Sequence, residues 1–213
     1  MTNDTMQRRG LLAALGGAVG ALVVGTRRVA AQATSAFQPA RHEQDAWLDK
    51  MPGKHRFVLD VTSPGGVPDA IRFAGNIFEG SKTGYGLEDK DLAMVIVLRH
   101  SATGFGYSDA IWAKHGAMLG GAPAAGAEAP KGNPQNAAPR NALDALAKRG
   151  VQFMVCGTAS RGISRRIAGQ GGDAEAVYKE MVANMIPSSR IVAAGVIGVT
   201  RAQEYGFNVI HAG

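Results

Sequence analysis

The sequence contains a single cysteine, Cys156, among its 213 residues, and aromatic residues make up only 6% of the chain. One cysteine excludes an internal disulfide, a Cys-x-x-Cys redox pair and a zinc or iron–sulfur site built from several cysteines. Residues 34–213 also lack clusters of Lys and Arg interleaved with aromatic residues, so no nucleic-acid-binding surface is predicted. The fold must therefore be stabilised by packing.

The N-terminal segment is typical of a targeting signal. Its apolar run over residues 10–25 is shorter than the roughly 20 residues that span a bilayer, and it is followed by the small-residue pattern Ala31-Gln32-Ala33, which is typical of a cleavage site. The adjacent Arg8 and Arg9 resemble the twin-arginine signal that exports folded proteins. We therefore expect a twin-arginine-type signal peptide over residues 1–33 and a periplasmic location. An ordinary secretory signal and an uncleaved membrane tether are the alternatives.

The charge balance changes when this segment is set aside. Four arginines and one aspartate lie in residues 1–33, so half of the formal net charge of +6 belongs to the predicted signal. The remaining chain is long enough for one compact domain with its own core. We predict an N-terminal lead segment over residues 34–53 and one domain over residues 54–213, with no membrane association after cleavage.

Strand-like and helical segments alternate along that domain. Residues 92–102 form a nearly continuous apolar run, which is typical of a central parallel strand. The alternation predicts an α/β protein, with a three-layer α/β/α fold and a mostly parallel sheet of about five strands. Residues 117–139 are rich in Ala, Gly and Pro and are predicted to form a long loop. The predicted strands are 55–63, 92–102, 151–157, 190–195 and 207–212, and the predicted helices are one from Pro68 to the glycines near residue 80, then 106–116, 140–150, one starting after Gly157, 173–186 and 200–206.

Sites in open parallel sheets gather at the carboxyl ends of the strands, and Cys156 lies at such an end, directly before a predicted helix. The positive end of a helix dipole and its free N–H groups favour the reactive thiolate. Arg161 follows at the Cys-x4-Arg spacing of a rhodanese-type sulfurtransferase loop. From the residues alone, three interpretations stay open: an inert strand cysteine, a reactive thiol and an intermolecular disulfide.

Histidines offer a second set of candidates, although no His-x-x-x-His or His-Glu-x-x-His spacing occurs. His100 is the best placed of them, because it follows Arg99 at the carboxyl end of the predicted central strand. It is expected either to join Cys156 as a base or metal ligand or to form structural hydrogen bonds. His211 is a weaker candidate, while Asp60 is interpreted as a cap or turn residue and Tyr107 as a packing residue.

Three stretches together carry a family resemblance: "MVIVLRHSATGFGYSDAIW", "LAKRGVQFMVCGTASRGI" and "IVAAGVIGVTRAQEYGFNVIHAG". With them, residues 54–213 resemble the exported, single-domain branch of the DsrE/DsrF-like sulfur-relay family. Cys156 falls on the family's sulfur-carrying cysteine, and Arg161-Gly162 on the Arg-Gly that often follows it. The resemblance implies assembly into trimers or hexamers and a cysteine persulfide that is passed between proteins.

These observations combine into one expected function and two rivals. The expected function is persulfide binding or relay through Cys156, with a protein as sulfur donor or acceptor and with no cofactor. The residues expected around the substrate are Gly157, Thr158, Arg161, His100 and Arg99. The rivals are a small-molecule-binding or metal-binding homo-oligomer and a structural or interaction protein on the same fold.

Overall fold

The computed structural model describes residues 38–120, 128, 130–136 and 142–213. Its contacts divide the chain into residues 1–38 and residues 39–213, and the fold below is that of the second unit. The predicted signal peptide and part of the predicted loop 117–139 lie outside the described residues. Within the described ranges, no helix combines the length and the apolar composition that crossing a membrane requires.

The core of the domain is one sheet of five parallel strands, in the spatial order β4-β3-β2-β1-β5. Strand β2 is buried over its whole length, because its Val- and Leu-rich sequence is covered on both faces. Helices flank the sheet on both sides, which confirms the predicted three-layer α/β/α fold. The strands are β1 (His55–Val61), β2 (Leu92–Leu98), β3 (Gln152–Cys156), β4 (Ser189–Val192) and β5 (Asn208–Ala212).

The described residues form seven α-helices, which are divided unequally between the two sides of the sheet. They are α1 (Trp47–Lys50), α2 (Gly66–Tyr85), α3 (Asp109–Leu119), α4 (Ala142–Lys148), α5 (Gly157–Ala168), α6 (Ala174–Ala183) and α7 (Gly195–Glu204). Helices α2 to α6 contribute buried side chains to one core, and this side of the sheet is called the five-helix face. Helices α1 and α7 contribute to the core on the other side, called the α7 face.

Side chains alternate between these faces along each strand, as the pleat requires. Leu59, Ile96 and Phe153 point to the five-helix face, where they meet the larger core. Their neighbours Val58, Val97 and Met154 belong to the smaller core under α7. The register then fixes which polar residues share a face at the ends of the strands.

Three predicted strands were too long at their carboxyl ends. Strand β1 ends at Val61, two residues before its predicted end. Strand β2 ends at Leu98, where its pairing with Val61 of β1 and Val155 of β3 also ends, and His100–Gly106 form a 3-10 helix instead. Strand β4 ends at Val192, the register partner of Cys156, and Ala193 and Ala194 connect it to α7. After β2 the apolar run stops at Arg99, and apolar residues return only within the 3-10 helix, where Ala102 and Phe105 join the larger core.

Several predicted helix bounds were also wrong. Helix α2 begins at Gly66, two residues before the predicted start, and continues past Gly80 to Tyr85. Helix α3 continues through Gly116 to Leu119, and Gly116 packs closely on Pro130, since a Cβ there would lie 3.2 Å from the proline ring. Helix α7 begins at Gly195, five residues before the predicted start. The β-branched Val196, Ile197 and Val199 favoured a strand in the sequence, but the packing of Gly198 and Ala202 on the sheet makes the segment helical.

After most strands the chain passes to the five-helix face, but after β4 it passes to the α7 face. Strands β1, β2 and β3 lead into helices on the five-helix face, whereas β4 leads into α7 on the opposite face. Adjacent parallel strands whose connections leave in opposite directions form a crevice at their carboxyl ends. In this sheet the crevice lies between β3 and β4, beside Cys156.

Candidate functional site

Four polar residues share the α7 face at the carboxyl edge of the sheet. Asp60 of β1 is the register partner of Val97 and of His211. Arg99 and Cys156 each lie two residues beyond the paired Val97 and Met154, which belong to the core under α7, so the pleat directs them to that face as well. The sheet therefore aligns His211, Asp60, Arg99 and Cys156 in a row across four neighbouring strands.

The Cys156 side chain caps helix α5. Its Sγ accepts a hydrogen bond from the backbone N–H of Ala159 at 3.5 Å, so the sulfur takes the place that a Ser, Thr or Asp oxygen commonly occupies. The residue is 7% exposed and is the single free cysteine of the chain. A negative charge on this sulfur is stabilised by the N–H groups and the dipole of the helix that it caps.

A buried hydrogen-bond chain fixes the backbone on which this sulfur is carried. The Ser160 hydroxyl donates to the carbonyl oxygen of Cys156 at 2.7 Å and accepts from the hydroxyl of Tyr107. Burial raises the pKa of Tyr107 above its ordinary value, although the hydrogen bond to Ser160 lowers it in part, so this hydroxyl stays protonated. Tyr107 thus packs in the core, as interpreted, and also holds the first turn of α5.

Arg99 is the cation adjacent to Cys156 in the sheet. Its Nε and Nη2 atoms donate to the two carboxylate oxygens of Asp60 at 2.6 and 2.8 Å. These hydrogen bonds raise the pKa of Arg99 above its ordinary value; burial opposes them, and the negative charges of Asp60 and of a Cys156 thiolate add to the increase. Because β1 is not a neighbour of β3, Arg99 lies between the sulfur and the Asp60 carboxylate.

His211 extends the row to the edge strand β5. Its Nδ1 lies 3.6 Å from Asp60 Oδ2, and its Nε2 lies 2.7 Å from the carbonyl oxygen of Gly213 and donates to it, since a carbonyl can only accept. Both ring nitrogens of His211 thus lie close to oxygen acceptors. Asp60 consequently receives contacts from both sides, and it orients Arg99 instead of acting as a simple turn residue.

Gly195 is placed directly against Arg99. A Cβ at this position would lie 2.3 Å from Arg99 Cβ, so only glycine lets the first turn of α7 approach the arginine so closely. Ala194 precedes this helix and its side chain makes no capping hydrogen bond. The N-termini of α5 and α7 therefore both lie at this edge of the sheet, one on each side of the β3–β4 crevice.

Gly157 and Thr158 line the crevice and have structural roles in it. A Cβ on Gly157 would come within 2.8 Å of the Val192 carbonyl oxygen, so the glycine allows β3 and β4 to approach closely. The backbone N–H and the hydroxyl of Thr158 both donate to the Ala193 carbonyl oxygen, at 3.2 and 3.1 Å. These contacts join the start of α5 to the end of β4.

Arg161 is not directed to the sulfur. Its Nη1 donates to Glu175 at 3.0 Å, and its guanidinium lies 4.0 Å from the ring centroid of Tyr178, so both contacts are with α6. The Cys-x4-Arg spacing places Arg161 on the second turn of α5, beyond the turn that Cys156 caps. Arg99, 57 positions before Cys156 in the chain, occupies the position expected of a cationic neighbour.

No hydrogen bond joins the described side chains of His100 and Cys156. His100 begins the 3-10 helix His100–Gly106 with a left-handed φ of 55°, and its side chain is exposed. It makes no hydrogen bond to Cys156 within the described part of the chain, and there no group of three or more His, Cys, Asp or Glu side chains lies close enough to hold a metal ion. The expected pairing of His100 with Cys156 is not formed.

Sequence reasoning assigned none of four residues to this site: it interpreted Asp60 as a cap or turn residue and Tyr107 as a packing residue, and it gave no role to Ser160 and Gly195. Asp60 carried a usable signal, since an acidic residue within an otherwise apolar strand is rarely buried without a partner. Gly195 carried a weaker one, because a glycine next to a strand end often marks a close approach of the backbone. Nothing local marked Tyr107 and Ser160, which are 53 residues apart.

Comparisons with known proteins identify neither a family nor a function for this chain. No protein-family model matches the sequence, and no curated protein matches it. Among solved structures, the chain is similar to the protein of unknown function MTH1491 from Methanobacterium thermoautotrophicum, with 14% identity and a TM-score of 0.43. The likeness covers 74% of this chain and 99% of that one.

Proposed function

We propose that this protein carries a sulfane sulfur on Cys156 as a persulfide, in the manner of the DsrE/DsrF-like proteins that its sequence resembles. The observation that carries the proposal is the placement of the sulfur: it caps α5, at a sheet edge and beside a crevice, with Arg99 on the neighbouring strand. A thiolate and a persulfide anion bear the same single charge. The helix N–H groups and Arg99 therefore stabilise both the empty and the loaded carrier.

The loading step balances with thiosulfate as donor. The Cys156 thiolate attacks the outer sulfur of thiosulfate, a new S–S bond forms on Sγ, and the old S–S bond breaks as sulfite leaves with its electron pair. In the unloading step, an acceptor thiolate attacks the terminal sulfur and Cys156 leaves as the thiolate. The sulfur moves without net oxidation, so no cofactor takes part.

The burial of Cys156 restricts which molecules reach it. With 7% of the residue exposed, a small inorganic donor reaches the sulfur more readily than a bulky one does. A protein acceptor would have to insert its own cysteine at the β3–β4 edge. In this proposal Arg99 is the residue that touches the charged sulfur species, and Asp60 is a positioning residue that acts through Arg99.

The test is intact mass measurement after incubation with thiosulfate or polysulfide. We expect a dithiothreitol-reversible gain of about 32 Da per added sulfur atom in the wild-type protein, and no gain in Cys156→Ser. A wild-type protein that gains no mass with either donor would refute the proposal. A thiol that iodoacetamide modifies only after denaturation would instead favour the structural interpretation.

The role of Arg99 has its own readout in the rate of thiol alkylation at pH 7. We expect Arg99→Met to slow iodoacetamide alkylation of the folded protein by about threefold to tenfold, because the thiolate loses its adjacent cation. Arg99→Lys should restore part of the rate, since it keeps the charge without the bidentate geometry. Arg149→Met is the matched control, because that arginine pairs with an aspartate far from the site and should leave the rate unchanged.

The resemblance and the N-terminal sequence extend the proposal to assembly and location. We propose a homo-oligomer, a trimer or a hexamer, in the periplasm. Sedimentation equilibrium of the purified protein distinguishes these states from a monomer. Cell fractionation tests the location: replacing Arg8 and Arg9 by Lys should leave the protein in the cytoplasm if the twin-arginine route exports it, and it should have no effect if another route does.

A further inference from the structure

A cleft of about 550 Å³ lies between α3 and α5, on the five-helix side of the strand ends. Its wall is built from Leu119, Ile163 and the small residues Ala117, Ala159 and Gly162, and Pro64 and His100 close one end. We call it the α3–α5 cleft. Cys156 does not line it, so this inference is independent of the sulfur chemistry proposed above.

Charge selects the ligand that fits this cleft. His100 and Arg166 are the residues with ionisable side chains among those that line it, and none of the described lining residues is acidic. Arg166 donates through Nη2 to the carbonyl oxygen of Met118 at 3.3 Å, which holds its guanidinium against the end of α3. An apolar cleft bordered by an arginine and by a histidine that can donate a hydrogen bond complements a molecule with an apolar body and an anionic head.

Gly162 keeps the cleft open. It lies within α5, where glycine is a poor helix former, and the usual packing reason is missing: a Cβ there would meet only Arg166 Nη1, at 3.9 Å. Any larger side chain at this position would project into the space beside Ala159 and Ile163. The glycine costs helix stability and provides volume in the cleft.

His100 has an unfavourable backbone conformation and also lines the cleft. Its left-handed φ of 55° is a conformation that glycine adopts without strain, yet the position carries a large side chain that faces the cleft. Strained residues of this kind cluster at binding sites. The strain at His100 and the glycine in α5 thus both preserve the shape and charge of the cleft.

From these features we infer that the α3–α5 cleft binds a small amphipathic anion, an apolar molecule of one or two rings or a short chain that bears a single carboxylate or sulfonate. The apolar body would lie on Leu119 and Ile163, and the anionic head would lie between His100 and Arg166. Recognition of the head by Arg166 is a charge-assisted hydrogen bond.

The test uses two probes of equal shape and opposite charge, naphthalene-1-sulfonate and 1-naphthylmethylamine, titrated calorimetrically into the purified protein. We expect saturable binding of the sulfonate, at least about tenfold tighter than that of the amine. Arg166→Gln should remove most of this preference. Equal affinity for the two probes, or no binding of the sulfonate, would overturn the inference.

A cleft-filling variant separates the cleft from other apolar surfaces. Gly162→Leu should abolish sulfonate binding while the protein stays folded, because leucine is the better helix former and no neighbour obstructs its Cβ. Gly80→Leu is the matched control, because Gly80 is a glycine of α2 that lies outside the cleft and whose Cβ would meet nothing within 4 Å. Sulfonate binding that persists in Gly162→Leu, or that is lost equally in both variants, would contradict the assigned site.

Discussion

The two faces of the sheet carry different kinds of side chain at the carboxyl edge. The strand residues that point to the five-helix face are apolar as far as the carboxyl edge of the sheet. The last of them are Val61, Leu98 and Val155. On the α7 face, the residues at the same level are Asp60, Arg99 and Cys156. One face is covered by five helices and the other by α7 and the short α1.

The difference shows where a parallel sheet can carry polar chemistry. A charged side chain needs a partner or contact with water, and dense helix cover supplies neither. Under the thinner cover of the α7 face, 27% of the Arg99 side chain is exposed. Only 10% of the Asp60 side chain is exposed, and the bidentate ion pair with Arg99 compensates for the burial of its charge. The five-helix face stabilises the fold, and the α7 face carries the residues that the sulfur proposal uses.

The largest expected effect comes from truncating two adjacent residues of β3, one of which points to each face. Phe153 and Met154 are adjacent in β3 and point to opposite faces. Phe153→Ala should lower the free energy of unfolding by about 3 to 5 kcal/mol, and Met154→Ala by about 2 to 3 kcal/mol, because the former empties the larger core. Urea unfolding followed by tryptophan fluorescence measures both. A larger loss for Met154→Ala would break the comparison.

The ion pair at the α7 face should contribute more than an exposed pair of the same geometry. Arg149 donates through Nε and Nη2 to Asp89 just as Arg99 does to Asp60, but the side chains of Asp89 and Arg149 are 44% and 40% exposed. We expect Asp60→Asn to cost about 1 to 3 kcal/mol of unfolding free energy, because a buried acceptor is lost. Asp89→Asn should cost less than about 1 kcal/mol. Equal losses of unfolding free energy in the two variants would show that the Arg99–Asp60 pair is no better shielded from water than the Arg149–Asp89 pair.

Two glycines provide a third comparison, because replacing each by alanine should change the stability of the protein in opposite directions. Gly195→Ala on the α7 face should destabilise the protein by about 1 to 3 kcal/mol, since its Cβ would overlap Arg99. Gly162→Ala in α5 should stabilise it by about 0.5 to 1 kcal/mol, because a methyl group fits there and alanine favours the helix. Thermal unfolding by calorimetry gives both signs. A stabilising Gly195→Ala would mean that Arg99 moves freely, contrary to its assigned position.

The smallest expected effect is the pH dependence of the exposed pair. Hydrogen bonds from Arg149 lower the pKa of Asp89 from its ordinary 3.8, so the pair stabilises the folded protein above that pH and the contribution is lost as the pH falls through the lowered pKa. The unfolding free energy of the wild type relative to Asp89→Asn should therefore shrink below about pH 4, by less than about 1 kcal/mol. A difference between the two proteins that grows on acidification would contradict the sign.

Local sequence patterns predicted the elements of the fold well and their ends less well. The apolar run at β2 and the break after Cys156 were sufficient to place a central strand and the cap of α5. The patterns failed at Gly116, which packs within a helix instead of ending it, and at Val196 and Ile197, whose strand preference is overridden by packing on the sheet. Local preferences are small, and burial against a neighbouring element exceeds them.

The sequence alone determined that strands and helices alternate and that the single thiol lies between a strand and a helix, because these properties depend on residues within one or two turns of each other. Only the tertiary structure decided that β5 lies beside β1 and that β4 lies outermost. That order brings Asp60, Arg99 and His211 together and leaves Arg161 with α6. The lateral order of parallel strands is set by crossover connections and long-range packing, which no short stretch of sequence encodes.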